Sequence, residues 1–333
     1  MKLSVIIPYY NSEAWIGPLL EALLDQELSQ EAYEIMVIDD GSTEEPVTLR
    51  RYAAEHAQLK VIRQENAGLS AARNQGIDLA QGDWVFFCDS DDLVRSKAIR
   101  RFIEIAETNG LDLLFWNVLR VYPGEIPTHP KSDFDALTPV QTGLDYMIHP
   151  PVDYSPGVWR YLVRRDLIVA NGLRFQNLAY VEDSLFRLDL MPIAQRVAHV
   201  DVDFYYYVQR ESSILHAQKR QQYDRFAGYK FQYLERLSRE IAGTALPDEA
   251  KHVCRLWRDV DTFYLLKYLA LYSPVALTKD YLPRLASINA LPLDIKGSPL
   301  IRLTRRLMNH PTLWTLTCRL IHIMPATLRN NIN

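Results

Sequence analysis

In the first hundred residues, short unbroken apolar runs alternate with segments whose apolar residues recur every three or four positions. Residues 3–8 form one such run, and Trp15, Ile16, Leu19, Leu20, Leu23 and Leu24 follow at helical spacing. Residues 34–38 read as a second strand, 47–55 as a helix and 60–62 as a short strand. A helix over 69–80 and a strand over 84–87 follow. The strands are continuously apolar rather than alternating, as expected when both faces are covered. This order predicts an α/β fold built on a mostly parallel, doubly wound sheet.

Beyond Asp92 the pattern is less regular. A helix is expected over 99–108, a strand over 111–118 and loops through the proline-rich stretch 123–156. A helix over 165–171 closes at Gly172, another begins at Glu182-Asp183, and residues 200–208 read as a tyrosine-rich strand. From Gln218 onward the spacing is helical throughout. A boundary near His216 therefore separates a domain of residues 1–216, in halves 1–110 and 111–216, from an all-helical extension over 217–333.

The bulk properties exclude several classes. A net charge of -4 argues against a general nucleic-acid binder. Cys88, Cys254 and Cys318 are too scattered for a metal cage and suit a chain kept reduced. The N-terminal run is too short for a signal peptide, and the most apolar later stretch, 263–277, is interrupted by Lys267 and Pro274. A cytoplasmic chain without a spanning helix is expected, with 263–277 a buried helix.

Acids gather where strands end. Asp89, Asp91 and Asp92 follow the strand over 84–87, and ligands of parallel α/β sheets bind beyond the carboxyl ends of strands. Such a cluster is either a divalent-cation site or a helix cap. Asp39 and Asp40 end the second strand, as ligand groups or as ordinary turn chemistry with Gly41-Ser42. Asn66-Ala67-Gly68 opens a helix whose N-terminus, with Arg73, suits phosphate; a surface ion pair is the other reading of Arg73. Glu182-Asp183 opens a helix, as first-turn acids favouring its dipole or as a catalytic base.

Five segments recur in a known order: Ser4 through Asn11, Val37 through Thr43, Asn66 through Gly76, Asp89 through Asp92, and Glu182 through Phe186. Over about two-thirds of its length the chain resembles the family 2 glycosyltransferases, inverting nucleotide-sugar enzymes of the Rossmann-like GT-A fold. The resemblance implies that Pro8 and Tyr10 flank the base, Asp40 with neighbouring Asp39 accepts from the uracil imide, and Asn66 and Arg73 face phosphate. It further implies that Asp91 holds Mg2+ or Mn2+ against the diphosphate and that Asp89 touches ribose or the metal, with Asp92 left as a cap. Asp183 is implied as the base, with Glu182 positioning the acceptor, and Arg210 and Ser213 as groups closing over the diphosphate. His216 is a further candidate metal ligand. Glu44-Glu45 stands where the family usually has another aspartate.

The implied activity is transfer from a nucleotide-diphosphate sugar, most simply a UDP-sugar, to a hydroxyl of a glycan or lipid-linked glycan. Residues 296–333 contain no acid and interleave six basic with apolar side chains. They suit the surface of an anionic membrane, or else a helical pair packed on its own domain. A sugar nucleotidyltransferase is the rival enzyme, but Pro8-Tyr9-Tyr10-Asn11 replaces the glycine- and arginine-rich loop it needs. A non-catalytic sugar-nucleotide-binding assembly protein is the other alternative, against which the full set of acids weighs.

Overall fold

The computed structural model describes residues 1–125, 127–151, 156–210 and 223–323, in two compact units, Met1–Arg210 and Glu211–Asn333. The division falls at Arg210 rather than at His216.

Unit one is built on a single mixed sheet. Its strands are β1 (Leu3–Tyr9), β2 (Tyr33–Asp39), β3 (Leu59–Arg63), β4 (Trp84–Phe87), β5 (Leu93–Val94), β6 (Leu113–Val121), β7 (Ser132–Leu137), β8 (Tyr161–Arg164) and β9 (Val197–Val208). They run in the order β3-β2-β1-β4-β8-β6-β9-β5, with β7 also on β9. The first four are parallel, as the alternation predicts. Antiparallel pairing enters with β8, wedged between β4 and β6, while β6 and β9 are again parallel. Residues 1–110 and 111–210 therefore share one sheet rather than forming separate halves.

The helices of this unit are α1 (Glu13–Leu24), α2 (Val47–Glu55), α3 (Leu69–Leu79), α4 (Ile99–Thr108), α5 (Gly143–Ile148), α6 (Arg165–Ala170) and α7 (Glu182–Leu190). Helix α4 buries Ile99, Phe102, Ile103, Ile105 and Ala106 against the sheet. Phe102 stacks on Trp116 at 5.1 Å and meets Phe204 edge-on at 5.0 Å. Emptying that position by Phe102→Ala would cost about 3–5 kcal/mol.

Two expectations fail here. Asp92 does not cap α4: the Gln26 side-chain oxygen Oε1 accepts from the Ala98 and Ile99 amides at 3.0 and 2.9 Å, and β5 intervenes. The stretch 123–156 is not only loop, since it contains β7 and α5. The second of these is capped by Thr142, whose hydroxyl accepts from the Asp145 amide at 3.1 Å. Strand β7 is polar and mostly exposed, so it lacks the apolar run that announces a buried strand.

The second unit contains α8 (Tyr223–Ala242), α9 (Asp248–Tyr272), α10 (Val275–Ser287), α11 (Pro299–Met308) and α12 (Pro311–Ile323). Helix α9 stops at Ser273-Pro274, dividing the apolar stretch 263–277. Among the described residues no helix is long and apolar enough to cross a membrane.

Candidate active site

The register of β1, β2 and β4 brings three chain turns to one edge. Tyr9 pairs with Asp39 across β1 and β2, and Ile6 with Phe87 across β1 and β4. Asn11 then clamps the first two turns: its side-chain oxygen accepts from the Thr43 and Glu44 amides at 2.9 and 3.1 Å. Its backbone φ of +48° is a left-handed value that asparagine tolerates.

The two acids of the second turn serve the scaffold. Asp39 is buried, accepting from the Ser42 amide at 2.9 Å and from Arg63 Nη1 at 2.7 Å. These two donors hold its carboxylate inside the fold. Asp40 accepts from Gln64 and Ala67 at one oxygen, 2.6 and 2.8 Å, and from the Gly68 amide at the other, 2.8 Å. A carboxylate has about four acceptor sites, so three are taken. The Ala67 and Gly68 amides thus hold Asp40 instead of waiting for phosphate, and Asn66 donates to the Asp40 carbonyl at 2.8 Å. Pro8 is buried within β1, whereas the Tyr10 ring is 49% exposed.

The third turn carries Asp89, Asp91 and Asp92, and the structure sorts them by exposure. Asp89 and Asp91 keep 26% and 39% of their side chains accessible. Asp92 is buried, accepting from the Tyr205 hydroxyl at 2.7 Å and from the Val208 amide at 2.8 Å. Burial, reinforced by the Asp89 charge, pushes the Asp92 carboxyl up to about 8. Arg210, from the segment after β9, pairs with Asp91 and lies over the Trp15 ring, 4.6 Å from its centroid.

Arg73 is the largest departure from expectation. It projects from α3 into the protein, only 1% exposed, rather than toward a phosphate. Its Nη1 donates to Asp183 Oδ1 at 2.6 Å and its Nη2 to Asp89 Oδ1 at 2.9 Å. Glu182 Oε1 lies 3.6 Å from Nη1. One face of the guanidinium rests over Phe175, 5.2 Å from the ring centroid, and Phe175 stacks on Phe186 at 4.2 Å. Asn74 grips the Phe175 backbone in both directions, at 2.8 and 2.9 Å, fixing α3 to this loop.

Two charged groups near Arg73 have raised carboxyls. Asp183 is pushed up to about 7 by burial, against the pull of Arg73, with Glu182 and Asp89 adding to the rise. Glu182 is raised for the same leading reason, burial. The second Asp183 oxygen accepts a long 3.4 Å bond from the Val158 amide. A carboxylate that gives up its proton near pH 7 is suited to accept one. Tyr180, with φ of +73°, turns the chain just before this pair.

The edge therefore brings together Asp40, Asn66, Asp89, Asp91, Arg210, Glu182 and Asp183, with Arg73 beneath them and Tyr10 beside the first turn. Ser213 and His216 lie outside the described residues. Sequence reasoning missed Tyr205, Trp15 and Val158 as site residues. Tyr205 stood inside the tyrosine-rich strand expected over 200–208, but nothing local distinguished it from its tyrosine neighbours.

Asp89 and Asp91 were tested as donors for a divalent cation. Among the described residues no three His, Cys, Asp or Glu side chains converge as a closed cage. A magnesium-type ion needs only one or two carboxylates when substrate phosphates and water complete its shell. The pair is accessible and all-oxygen, which fits such an ion, and each acid also meets an arginine, Asp89 Arg73 and Asp91 Arg210.

Comparison with known proteins agrees with this geometry. The family model "Glycosyl transferase family 2" matches residues 4–167. The uncharacterized glycosyltransferase EpsJ of Bacillus subtilis is 34% identical over 216 residues, 63% of this chain and 62% of that protein. The uncharacterized glycosyltransferase YibD of Escherichia coli is 33% identical over 250 residues, 72% of each chain. A Staphylococcus aureus poly(ribitol-phosphate) beta-N-acetylglucosaminyltransferase, TarS, is 28% identical over 211 residues, 62% of this chain and 35% of its own length. The crystal structure of its 1–349 fragment with UDP-GlcNAc superposes with a TM-score of 0.68 at 22% identity, covering 96% of this chain and 91% of the fragment. That likeness establishes the shared GT-A fold. Ordered motifs, fold and relatives agree, and the chain belongs to glycosyl transferase family 2.

Proposed function

We propose that this chain is an inverting glycosyltransferase. In this reading it moves a hexosyl or N-acetylhexosaminyl group from a UDP-sugar to a hydroxyl of a cell-surface polysaccharide or lipopolysaccharide-type glycan. The observation that carries the reading is the sharing of Arg73 by Asp89 and Asp183. It brings an acid from the nucleotide-side turn and a near-neutral acid from α7 to opposite ends of one guanidinium.

In this reading Asp183 takes the proton of the acceptor hydroxyl. The acceptor oxygen attacks the anomeric carbon on the face opposite the diphosphate, a new glycosidic bond forms, and UDP leaves with the bonding pair. Glu182 orients the acceptor. Tyr10 offers a free ring for the base, and Arg210 a forked cation for phosphate oxygens. Asp89 and Asp91 would hold Mg2+ or Mn2+, which supplies positive charge for the departing diphosphate. The names of the relatives support a UDP-sugar donor and a polymeric acceptor.

Residues 296–333 are proposed to touch an anionic lipid surface at the cytoplasmic face of the membrane. Within the described part, Leu300, Leu303, Leu316 and Leu320 are 72%, 55%, 48% and 66% exposed, beside the exposed Arg302, Arg306 and Arg319. An apolar stripe flanked by cations suits that surface.

Thermal shift with UDP and UDP-sugars, with Mn2+ or Mg2+ present, tests the central reading. Binding should raise the melting midpoint, since a ligand of the folded state stabilises it by mass action. UDP should be released when acceptor glycans are added. No shift with any UDP-sugar and no UDP release would overturn it.

A further inference from the structure

One buried hydroxyl ties the third of these turns to the end of β9. Tyr205 lies on β9, fully buried, and its Oη donates to Asp92 Oδ2 at 2.7 Å. The same oxygen accepts from the backbone N–H of Asp89 at 3.2 Å. The other Asp92 oxygen accepts from the Val208 amide at 2.8 Å. The Tyr205 ring stacks on Trp159, with centroids 4.8 Å apart and planes 11° apart. Trp159 adjoins Val158, whose amide reaches Asp183.

We propose that Asp92 and Tyr205 are positioning residues of the donor site, a clamp holding the Asp89–Asp91 turn in register with the end of β9 that delivers Arg210. The inference rests on the transferase reading of this edge and adds two residues that never touch the donor.

The geometry explains why a buried carboxylate is kept here at all. A buried polar group is costly unless it is hydrogen-bonded, and Asp92 meets one donor from each end of the last strand segment, at Tyr205 and Val208. Two residues beyond Val208 stands Arg210, paired with Asp91; two residues before Asp91 stands Asp89, whose amide the same hydroxyl holds. Strand and turn are thus linked on both sides of the Asp91–Arg210 pair. Without the hydroxyl, the Asp89 amide and one Asp92 oxygen lose their partners together. Catalytic constellations lose efficiency when their carriers shift by even an ångström.

The test is Tyr205→Phe in the full chain, which removes one oxygen and keeps the ring on Trp159, with Tyr206→Phe as the neighbouring control. Wild-type turnover of UDP-sugar is measured first. If the wild type binds no UDP and releases none, the transferase reading falls, and this role with it. Given an active wild type, Tyr205→Phe should raise the donor KM about tenfold, as expected when buried hydrogen-bonding groups lose their partner, leaving the acceptor KM unchanged. Hydrogen exchange should quicken in peptides covering 88–92 and 207–210, while Tyr206→Phe stays at wild-type values. A wild-type donor KM overturns the clamp alone. So does unchanged exchange at Asp89, or lost folded protein whose remaining fraction keeps the wild-type KM, which would mark Tyr205 as merely structural.

Discussion

Arg73 and Asp183, separated by 110 positions in the chain, meet through a 2.6 Å bond from Nη1 to Oδ1. The bond occupies one Asp183 oxygen, and the other accepts from the Val158 amide at 3.4 Å. Arg73 therefore orients the carboxylate and favours its charged form, while burial works the other way. The balance leaves Asp183 near neutrality, where a base can both take and release a proton.

Asp183→Asn keeps the shape of the site and removes its basicity. Transfer should fall by about 10²–10⁴-fold, the usual worth of a general base, with UDP affinity by calorimetry preserved. Retained turnover would assign the base elsewhere, with Glu182 the next acid along α7.

The raised Asp183 carboxyl sets a pH dependence with opposite signs for rate and stability. The base must be ionised, so kcat should climb as pH rises through about 7 and then level off. The folded chain holds this proton more tightly than an unfolded aspartate, whose ordinary value is 3.8. Its stabilising contribution is therefore complete below that value and is lost as pH rises through about 7. Asp92, pushed up to about 8, acts in the same sense. Melting midpoints of Asp183→Asn recorded from pH 4 to pH 8 should show a shallower decline than those of the wild type.

Arg73→Met removes a buried cation and leaves Asp89, Glu182 and Asp183 facing one another. Breaking a buried pair by deleting one partner costs roughly 3–5 kcal/mol, a loss that urea unfolding would read directly. A change within about 0.5 kcal/mol, typical of neutral surface substitutions, would show that the cluster relaxes by protonation.

Gly41→Ala meets two obstacles. Its φ of +72° disfavours any side chain, and a Cβ would sit 2.8 Å from the Asn66 amide nitrogen. The backbone penalty alone is about 1–2 kcal/mol, and the clash would push the Asn66 loop from Asp40, raising the donor KM. Gly172→Ala is the contrast: φ is +60° but nothing lies within 4 Å, so stability should drop without a kinetic effect.

Leu316→Glu with Leu320→Glu places two acids on the exposed apolar stripe of α12. Co-sedimentation with phosphatidylglycerol vesicles should fall to the level seen with neutral vesicles. Equal recovery of variant and wild type would exclude this stripe as the lipid contact.

In the parallel half of the sheet, β1, β2 and β4 were legible almost to the residue because strands buried on both faces are predominantly apolar. Val47–Glu55, Ile99–Thr108 and Trp84–Phe87 appear with the bounds their periodicity predicts. Strand β8 was not legible. Tyr-Leu-Val-Arg is too short to carry a period, and it is a strand because β4 and β6 leave a slot between them. The polar β7 was hidden for the opposite reason, having almost no face to bury.

The sequence by itself determined the order of elements in the first hundred residues, the acids at the strand ends and the family, since each depends on residues close together in the chain. Only the tertiary structure decided what those acids do. It turned Asp39 and most of Asp40 into supports, drew Arg73 inward beneath Asp89 and Asp183, and made Tyr205 the link between the third turn and β9. The physical reason is range: periodicity and capping act within a few residues, whereas a buried charge is satisfied by whichever partner the sheet brings to it, here from more than a hundred positions away.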